Sequence, residues 1–332
     1  MLSLFITLIF VSLSDCRFVE SNYDYFEQTL DHFNPQDEST YRQRFHFQTT
    51  YCTESPSLCP IFLYICGEYS CDGIPDDYIQ VLARNLKAVV VMPEHRYYGL
   101  SVPFNEFTTE NLRFLSSKQA VCDLASFTVY FQKLFNEKYG LPENAENPWI
   151  TFGVSYAGAL SAWFRLKFPH LTRGSISSSG VVHAILAYPQ FDEQVAASVG
   201  TTCSHYLRLT TASMEANLEA NNTGTKQLFG ARGLSDNDFL YYVADVAATS
   251  VQYGRQYELC NHTIRAFQTG QNPTVAFADY TTREYTKVFS VEPITYSQDE
   301  LKKVHVSLAT NNGNRQWWYQ VGLFSFSSTL QR

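Results

Sequence analysis

Short apolar runs alternate with amphipathic stretches between about residues 41 and 179 of the chain. FHFQT at 45–49 alternates in hydrophobicity as an edge strand does, whereas IFLYIC at 61–66 and AVVVM at 88–92 are apolar throughout. Continuous apolar runs are typical of strands that are buried on both faces. The helical stretch PDDYIQVLARNLK connects these two runs and completes a βαβ unit. The pattern therefore predicts an α/β fold with a parallel sheet.

A second strand and helix pair follows further along the chain. SSKQAVCDLASFTVYFQKLFNEKYG has apolar residues near helical spacing, with Ser116 or Ser117 to cap the helix and Gly140 to end it. WITF at 149–152 then predicts a strand, and ALSAWFRLKF predicts a helix that Pro169 closes. GSISSSG, beginning at residue 174, predicts one more strand.

The pattern changes after about Pro189. The stretches FDEQVAASVGTTCSHYLRL, LSDNDFLYYVADVAATSVQYG and QDELKKVHVSLA are helix-like, and no β-rich run comparable to the earlier ones follows. We therefore predict a sheet-containing core over residues 15–189 and a mostly helical insertion over residues 190–320.

The first sixteen residues, MLSLFITLIFVSLSDC, contain an apolar run that is too short to span a bilayer. Small polar residues follow it, so residues 1–14 are predicted to be a signal peptide, with a buried N-terminal strand as the alternative. No later stretch reaches membrane-span length, and we expect no membrane span in the product. A secretory route implies an oxidising compartment.

The composition excludes some partners. The chain of 332 residues is 45% hydrophobic, carries 17% charged residues and has a net charge of −8. This length indicates one large domain with an insertion, or two domains. The acidic balance gives no basic surface for nucleic acid.

The chain has eight cysteines, which show no metal-site spacing. In an oxidising compartment the cysteines after Cys16 can pair, and Cys52 with Cys59 or Cys66 with Cys71 would close short loops, although the sequence leaves the connectivity open. Cleavage after Cys16 would leave seven cysteines and one unpaired thiol. Asn221 in NNT and Asn261 in NHT are glycosylation acceptors on this route, or chance triplets.

A serine stands between the 149–152 strand and the next helix, in GVSYAG from Gly153 to Gly158. A strand, a sharp turn with a serine and a helix make up a nucleophile elbow. Small flanking residues let strand and helix approach closely, so that the Ser155 hydroxyl projects and the Tyr156 backbone N–H faces the same space. The alternative is an ordinary turn in which Ser155 caps the helix.

Several segments, in order, resemble one peptidase family: YFEQTLDHFNP, YRQRFHF, FLYICGE, EHRYYGLS and GVSYAGALSAWFRLKFPH. The chain resembles the prolyl-directed serine peptidases, which include lysosomal Pro-X carboxypeptidase, dipeptidyl peptidase II and thymus-specific serine protease, over about residues 25–320. The resemblance implies an α/β-hydrolase fold with a helical cap inserted late in the sheet.

The resemblance also implies roles for individual residues. Ser155 would be the acylated nucleophile and the Tyr156 N–H an oxyanion donor. The loop at Gly67 and Glu68 would contact substrate and is the candidate source of a second donor. His95 precedes the serine, contrary to the hydrolase order of serine, acid and histidine, so it is interpreted as structural.

The family's acid and histidine follow the cap, and this chain does not supply them at comparable places. His170 and His183 follow Ser155 too closely, and His183 is interpreted as buried or as part of a pocket wall. The later histidines fall in or beside the helical insertion: His205, His262 and His305. The resemblance stops at Val321, and residues 321–332 are interpreted as a divergent tail of a truncated chain that lacks the last sheet strands and the triad Asp and His. A natural divergent terminus is the alternative.

The prediction is thus a secretory-pathway serine exopeptidase that hydrolyses short proline-containing peptides through Ser155, with no metal or organic cofactor. The 332-residue chain itself is expected to be inactive. The alternatives are a non-catalytic binding protein and an esterase of the same fold. Extracellular and lysosomal or vacuolar residence both remain open, as does the oligomeric state, a homodimer included.

Overall fold

A computed structural model describes residues 22–53, 55–185, 188–303 and 313–327. These residues form two compact units: a sheet unit of residues 22–185 and 313–327, and a helical unit of residues 188–303. The sequence likewise predicts a sheet region followed by a helical one.

The sheet unit is built on six strands in the order β1-β2-β4-β3-β5-β6. β1 and β2 are antiparallel to each other, β2 is antiparallel to β4, and the remaining pairs are parallel. The strands are β1 Asn22–Thr29, β2 Thr40–Gln48, β3 Ile61–Tyr64, β4 Val89–Pro93, β5 Trp149–Val154 and β6 Gly174–Ser178. The fold class is therefore α/β, as predicted.

One strand assignment from the sequence is wrong. FHFQT was predicted to be an edge strand, but β2 lies between β1 and β4, and β1 takes the edge position. Buried polar residues explain the error, because Gln43 and His46 find hydrogen-bond partners inside the protein: Gln43 donates to the Glu94 carbonyl at 2.6 Å, and the His46 ring nitrogen bonds the Cys71 carbonyl at 2.8 Å. An alternating pattern thus occurs here in an internal strand.

Three helices accompany the parallel strands: α1 Tyr78–Leu86, α2 Ser117–Tyr139 and α3 Tyr156–Lys167. α2 begins where its sequence predicts, because the Ser116 side chain accepts a hydrogen bond from the Gln119 N–H at 3.2 Å. It ends at Gly140, whose φ of 66° lies in the left-handed region that glycine tolerates.

The helical unit holds seven α-helices among its described residues: α4 Pro189–Ala220, α5 Asn222–Leu228, α6 Asp236–Gln252, α7 Gln256–Thr269, α8 Pro273–Tyr280, α9 Thr286–Phe289 and α10 Gln298–Lys303. A π-helical turn, Thr281–Tyr285, joins α8 to α9. The unit has its own buried core, which includes Phe229, Phe239 and Val246.

The last described helix, α11 Asn314–Ser327, belongs to the sheet unit. The sequence predicts a helical insertion up to residue 320 and a divergent tail from residue 321. In the structure, α11 runs without interruption through residue 321. The Gln316 side chain donates to the Tyr97 carbonyl at 3.0 Å, which attaches α11 to the loop after β4.

Three disulfides join Cys52 to Cys59, Cys66 to Cys71 and Cys203 to Cys260. The first two close the short loops that the spacing suggested. Cys203 and Cys260 link α4 to α7. Cys122 is a free thiol.

Candidate active site

Ser155 occupies a strained turn between β5 and α3. Its φ is 57° and its ψ is −123°, in a region that residues other than glycine rarely adopt. Two backbone bonds hold the turn, since the Ser155 N–H donates to the Ser178 carbonyl at 3.0 Å and the Ala159 N–H donates to the Ser155 carbonyl at 3.1 Å. The backbone therefore has the sharp strand-to-helix geometry of a nucleophile elbow.

Two glycines make this turn sterically feasible. A Cβ at Gly153 would lie 2.0 Å from the Ala157 carbonyl oxygen, and one at Gly158 would lie 2.7 Å from the Ser178 carbonyl oxygen. Neither position has room for a larger residue. Ala157, which departs from the strict glycine pattern, is small enough to face Gly67, where an added Cβ would lie 3.7 Å from that of Ala157. The fold thus brings the loop after β3 against the elbow.

Tyr156 is the first residue of α3, where a helix leaves its N–H groups without intrahelical partners. Its side chain points into a buried hydrogen-bond network. The hydroxyl lies 3.0 Å from His95 Nε2 and 3.1 Å from Ser117 Oγ, and it accepts from Gln320 Nε2 at 3.1 Å. Gln320 also accepts a bond from the Tyr98 hydroxyl.

His95 is a component of this network. Its Nδ1 lies 2.8 Å from the Arg96 carbonyl, which can only accept, so Nδ1 carries the proton and Nε2 accepts from the Tyr156 hydroxyl. Burial lowers the pKa of His95 to about 4, and the ring is neutral at ordinary pH. Both ring nitrogens are thus engaged with Arg96 and Tyr156.

Arg96 uses all five of its guanidinium donors inside the protein. It forms a bidentate pair with Asp123, with both N–O distances at 2.6 Å. It also donates to three main-chain carbonyls, those of Leu30, Phe114 and Thr29. This arrangement fixes the backbone that follows β1 to the loop that follows β4.

Glu94 directly follows β4 and hydrogen-bonds a second loop. It accepts from Arg44 at 2.6 Å and from the Cys71 N–H at 3.0 Å. Its other oxygen accepts from the Leu100 N–H and the Ser101 hydroxyl. Through Cys71, Glu94 anchors the disulfide-closed loop that carries Gly67 and Glu68.

Glu68 is 8% exposed, and burial raises its pKa to about 7. It is the one predicted substrate-contact side chain of this loop, since Gly67 has none. Sequence reasoning missed the Tyr156–His95–Gln320 network, because partners separated by 61 and 164 residues leave no local signal.

The structure gives locations for most of the later histidines. His183 is exposed, so its interpretation as a buried residue is wrong; apolar neighbours in the sequence do not bury this segment. His170 and His205 are also exposed, and His262 bonds Glu284 at 2.7 Å within the helical unit. His305 lies outside the described residues. No described histidine of the sheet unit hydrogen-bonds the Ser155 hydroxyl.

Both predicted glycosylation acceptors are exposed in the helical unit. Asn221 caps α5 by accepting a hydrogen bond from the Gly224 N–H at 3.0 Å. Asn261 lies within α7.

Two cavities have volumes of about 340 Å³ each. The first, lined in part by Asn147, Trp149 and Arg173, is at the amino end of β5, whereas Ser155 follows the carboxyl end. The second is within the helical unit. In the ranges that the structure describes, no cluster of three or more His, Cys, Asp or Glu could hold a metal, and no helix is long and apolar enough to cross a membrane.

A mixed sheet with a serine on a strained turn between a parallel strand and a helix defines an α/β hydrolase. Comparison with known proteins gives the family. The chain belongs to the serine carboxypeptidase S28 family, whose sequence model matches residues 28–322. The chain is therefore a serine peptidase by family, as its motifs indicated.

Individual relatives support the same family assignment. The chain is 44% identical to "Probable serine protease EDA2" of Arabidopsis thaliana over 91% of its own length and 62% of the relative's. It is 38% identical to human thymus-specific serine protease over 54% of this chain and 34% of that protein. It is 31% identical to lysosomal Pro-X carboxypeptidase of Pongo abelii over 62% of this chain and 42% of that protein. The chain thus spans 62% or less of the length of these relatives.

Solved structures match more weakly. A putative hydrolase from Agrobacterium vitis is 10% identical over 47% of this chain and 51% of its own, with a TM-score of 0.33. A structure of an arylesterase is 16% identical over 53% of this chain and 50% of its own, also with a TM-score of 0.33. The family assignment rests on the sequence matches.

Proposed function

We propose that this chain carries the nucleophile of a proline-directed serine exopeptidase that hydrolyses short peptides through an acyl-enzyme on Ser155. The strained backbone of Ser155 carries this proposal, because a serine held in this turn presents its hydroxyl at the end of the sheet. Membership of the S28 family supports the reaction class. The names of relatives such as lysosomal Pro-X carboxypeptidase support the preference for proline.

In the proposed reaction, Ser155 Oγ attacks the scissile carbonyl carbon, and the carbonyl oxygen becomes an oxyanion. The Tyr156 N–H stabilises that charge, and the loop at Gly67 and Glu68 supplies further contacts. A base must take the hydroxyl proton and return it to the leaving amine before water releases the acyl group. We infer that the 332-residue chain alone has little activity, because no described histidine of the sheet unit bonds Ser155.

We place the protein in the secretory pathway, with extracellular and lysosomal or vacuolar residence both open. Three disulfides support an oxidising compartment. The exposed positions of Asn221 and Asn261 suit glycan attachment there. Relatives named for both locations include lysosomal Pro-X carboxypeptidase and a probable extracellular serine carboxypeptidase of Arthroderma benhamiae.

A fluorophosphonate probe tests the nucleophile. We expect no labelling of the 332-residue chain. We expect labelling at Ser155, with cleavage of Xaa-Pro peptides, when the chain is extended with the part of the Arabidopsis relative that the match does not cover. Ser155→Ala in the extended protein is the control and should abolish both signals.

Two results would count against these two inferences separately. Stoichiometric labelling of the unextended chain would overturn the inference that this chain alone has little activity. A folded, extended protein that stays unlabelled would remove Ser155 as the nucleophile.

A second candidate function is non-catalytic peptide binding. The observation that favours it is again the Ser155 hydroxyl, which has no hydrogen-bonded histidine in the described sheet unit. The extended protein discriminates between the two functions, since a binding protein would bind Xaa-Pro peptides without cleaving them.

A further inference from the structure

The cavity at the amino end of β5 lies between three segments of the sheet unit: α2, the loop 143–147 and the loop 170–173. We call it the β5 cavity. Its volume of about 340 Å³ is small for a ligand site and suits a small molecule rather than a long peptide. A strand rises about 3.3 Å per residue, so the length of β5 places Trp149 about 20 Å from Ser155. The β5 cavity is therefore separate from the serine.

Hydrogen bonds fix the inner wall of the β5 cavity. The Gln132 side chain donates to Asn147 Oδ1 at 2.8 Å and accepts from the Trp149 indole N–H at 2.9 Å. Asn147 donates in turn to the Pro56 and Cys59 carbonyls, at 2.8 Å each. Asn147 and Trp149 are both buried. This wall is in place before a ligand arrives, so binding orders few side chains there and loses little conformational entropy.

Exposed charged side chains of both signs line the same cavity: Lys133, Glu143, Glu146 and Arg173, together with the exposed His170. None of these side chains forms an ion pair or a hydrogen bond with another described residue. The lysine is on α2 and the arginine directly precedes β6, whereas both glutamates are on the loop before β5. Opposite charges therefore line the cavity without pairing across it.

This distribution of charge selects a class of ligand. A simple anion would be attracted by Lys133 and Arg173 but repelled by the two glutamates, and a simple cation would meet the reverse. A zwitterion offers one charge to each group. Arginine holds a carboxylate through two parallel N–H bonds, and a glutamate accepts hydrogen bonds from an ammonium. Val129 and Leu171 add apolar surface to the lining, which suits an apolar side chain between the two charges.

We propose that the β5 cavity binds a small zwitterion, an amino acid or a dipeptide with both termini free, at a second site apart from Ser155. The ligand carboxylate pairs with Arg173 and Lys133, and its ammonium pairs with Glu143 and Glu146. The proposal does not depend on the proposed function, because the elbow contributes no residue to the lining of the cavity. Molecules of this class are also what an exopeptidase releases.

Calorimetric titration of the Ser155→Ala form of the 332-residue chain tests the proposal without turnover. The ligands are leucine and Ala-Leu, each compared with its N-acetyl and its amide derivative. We expect at least one of the two free zwitterions to bind with a Kd below about 1 mM. Blocking either terminus should weaken binding by about fivefold or more, the effect of one lost charge-assisted hydrogen bond. The comparison of leucine with Ala-Leu shows which length the cavity accepts.

Two double variants locate the binding. Lys133→Gln with Arg173→Gln should abolish the preference for a free carboxylate, because the amide derivative then loses nothing further. Glu143→Gln with Glu146→Gln should abolish the preference for a free ammonium in the same way. All four side chains are exposed, so the fold should tolerate the changes. Circular dichroism checks that each variant is folded.

Matched controls remove the same charges outside the cavity. Lys167→Gln with Arg232→Gln removes two exposed cations, and Glu137→Gln with Glu219→Gln removes two exposed acids. None of these four side chains forms an ion pair with a described residue. Both control variants should bind the zwitterion as tightly as the parent chain does.

The proposal is overturned if neither zwitterion binds, or if blocked and free ligands bind equally, and the unaltered cavity suffices for both measurements. It is also overturned if the two double variants keep both preferences, since the ligand then binds elsewhere. Failure of Ser155 to react with the fluorophosphonate probe would concern the nucleophile alone.

Discussion

Ser155 keeps a backbone conformation that its own side chain does not favour. The cost of such a conformation is about 1–3 kcal/mol, which neighbouring packing has to offset. Gly153 and Gly158 make that packing close enough, and the two backbone bonds of Ser155 and Ala159 fix it. The turn at Ser155 could be predicted from the sequence alone, because the glycine spacing and the flanking strand and helix are all local signals.

Replacing Gly153 by alanine tests this packing. The new Cβ would overlap the Ala157 carbonyl oxygen at 2.0 Å, a backbone atom that cannot rotate away. We expect the free energy of unfolding to fall by about 3 kcal/mol or more, and the elbow to be lost. Urea denaturation followed by fluorescence measures the change.

Gly233→Ala is the matched control, because a Cβ at Gly233 meets nothing within 4 Å. It should change the free energy of unfolding by less than about 0.5 kcal/mol. Equal stabilities of the two variants would show that close packing at Gly153 is not what constrains the turn.

Among the elements, strands β3 to β6 and helices α1 to α3 could be predicted from the sequence, because each has a run or periodicity of its own. The first strand could not, since NYDYFEQT is mostly polar and partly exposed, and it is defined by its pairing with β2. The position of α11 was also missed. Its attachment depends on Gln316 and Gln320, and nothing in the sequence identifies their distant partners.

The contribution of α11 to the elbow can be measured with Gln320→Leu. Leucine would leave the Tyr98 and Tyr156 hydroxyls each without one buried partner, so we expect a loss of about 1–3 kcal/mol in the free energy of unfolding. The midpoint of urea denaturation and the near-ultraviolet circular dichroism of the tyrosines are the readouts. Gln252→Leu, at an exposed position of α6, should be close to neutral; a comparable loss there would contradict the assigned role of Gln320.

Over the whole molecule, each unit has a buried acid whose ionised form is disfavoured. Burial raises the pKa of Glu68 to about 7 and that of Asp245 to about 6. The unfolded chain ionises these groups at lower pH than the folded one does. The protonated forms of these two acids therefore stabilise the folded state fully below about pH 4. This stabilisation is lost as the pH rises towards about 7.

We expect the melting temperature to be higher at about pH 5 than at about pH 7.5, a direction that suits an acidic compartment. Asp123 sets the lower limit. Burial, the largest single effect, raises its pKa, but Arg96 and His32 together hold the pKa below its ordinary value, and the pair with Arg96 weakens in strong acid. Thermal unfolding across this pH range measures the change in melting temperature. The double variant Glu68→Gln with Asp245→Asn should make the melting temperature less dependent on pH. A melting temperature that increases up to about pH 7.5 would contradict the assignment of these two acids.

The bond between Gln320 and Tyr156 joins residues 164 positions apart and has a consequence for synthesis. A ribosome adds about 5–20 residues per second, so Tyr156 is made on the order of ten seconds or more before the residue that completes its hydrogen bonds. During that interval the strand and helix around Ser155 can form without the support of α11. The nascent chain can thus form the turn at Ser155 early and gain the hydrogen bond from Gln320 only later.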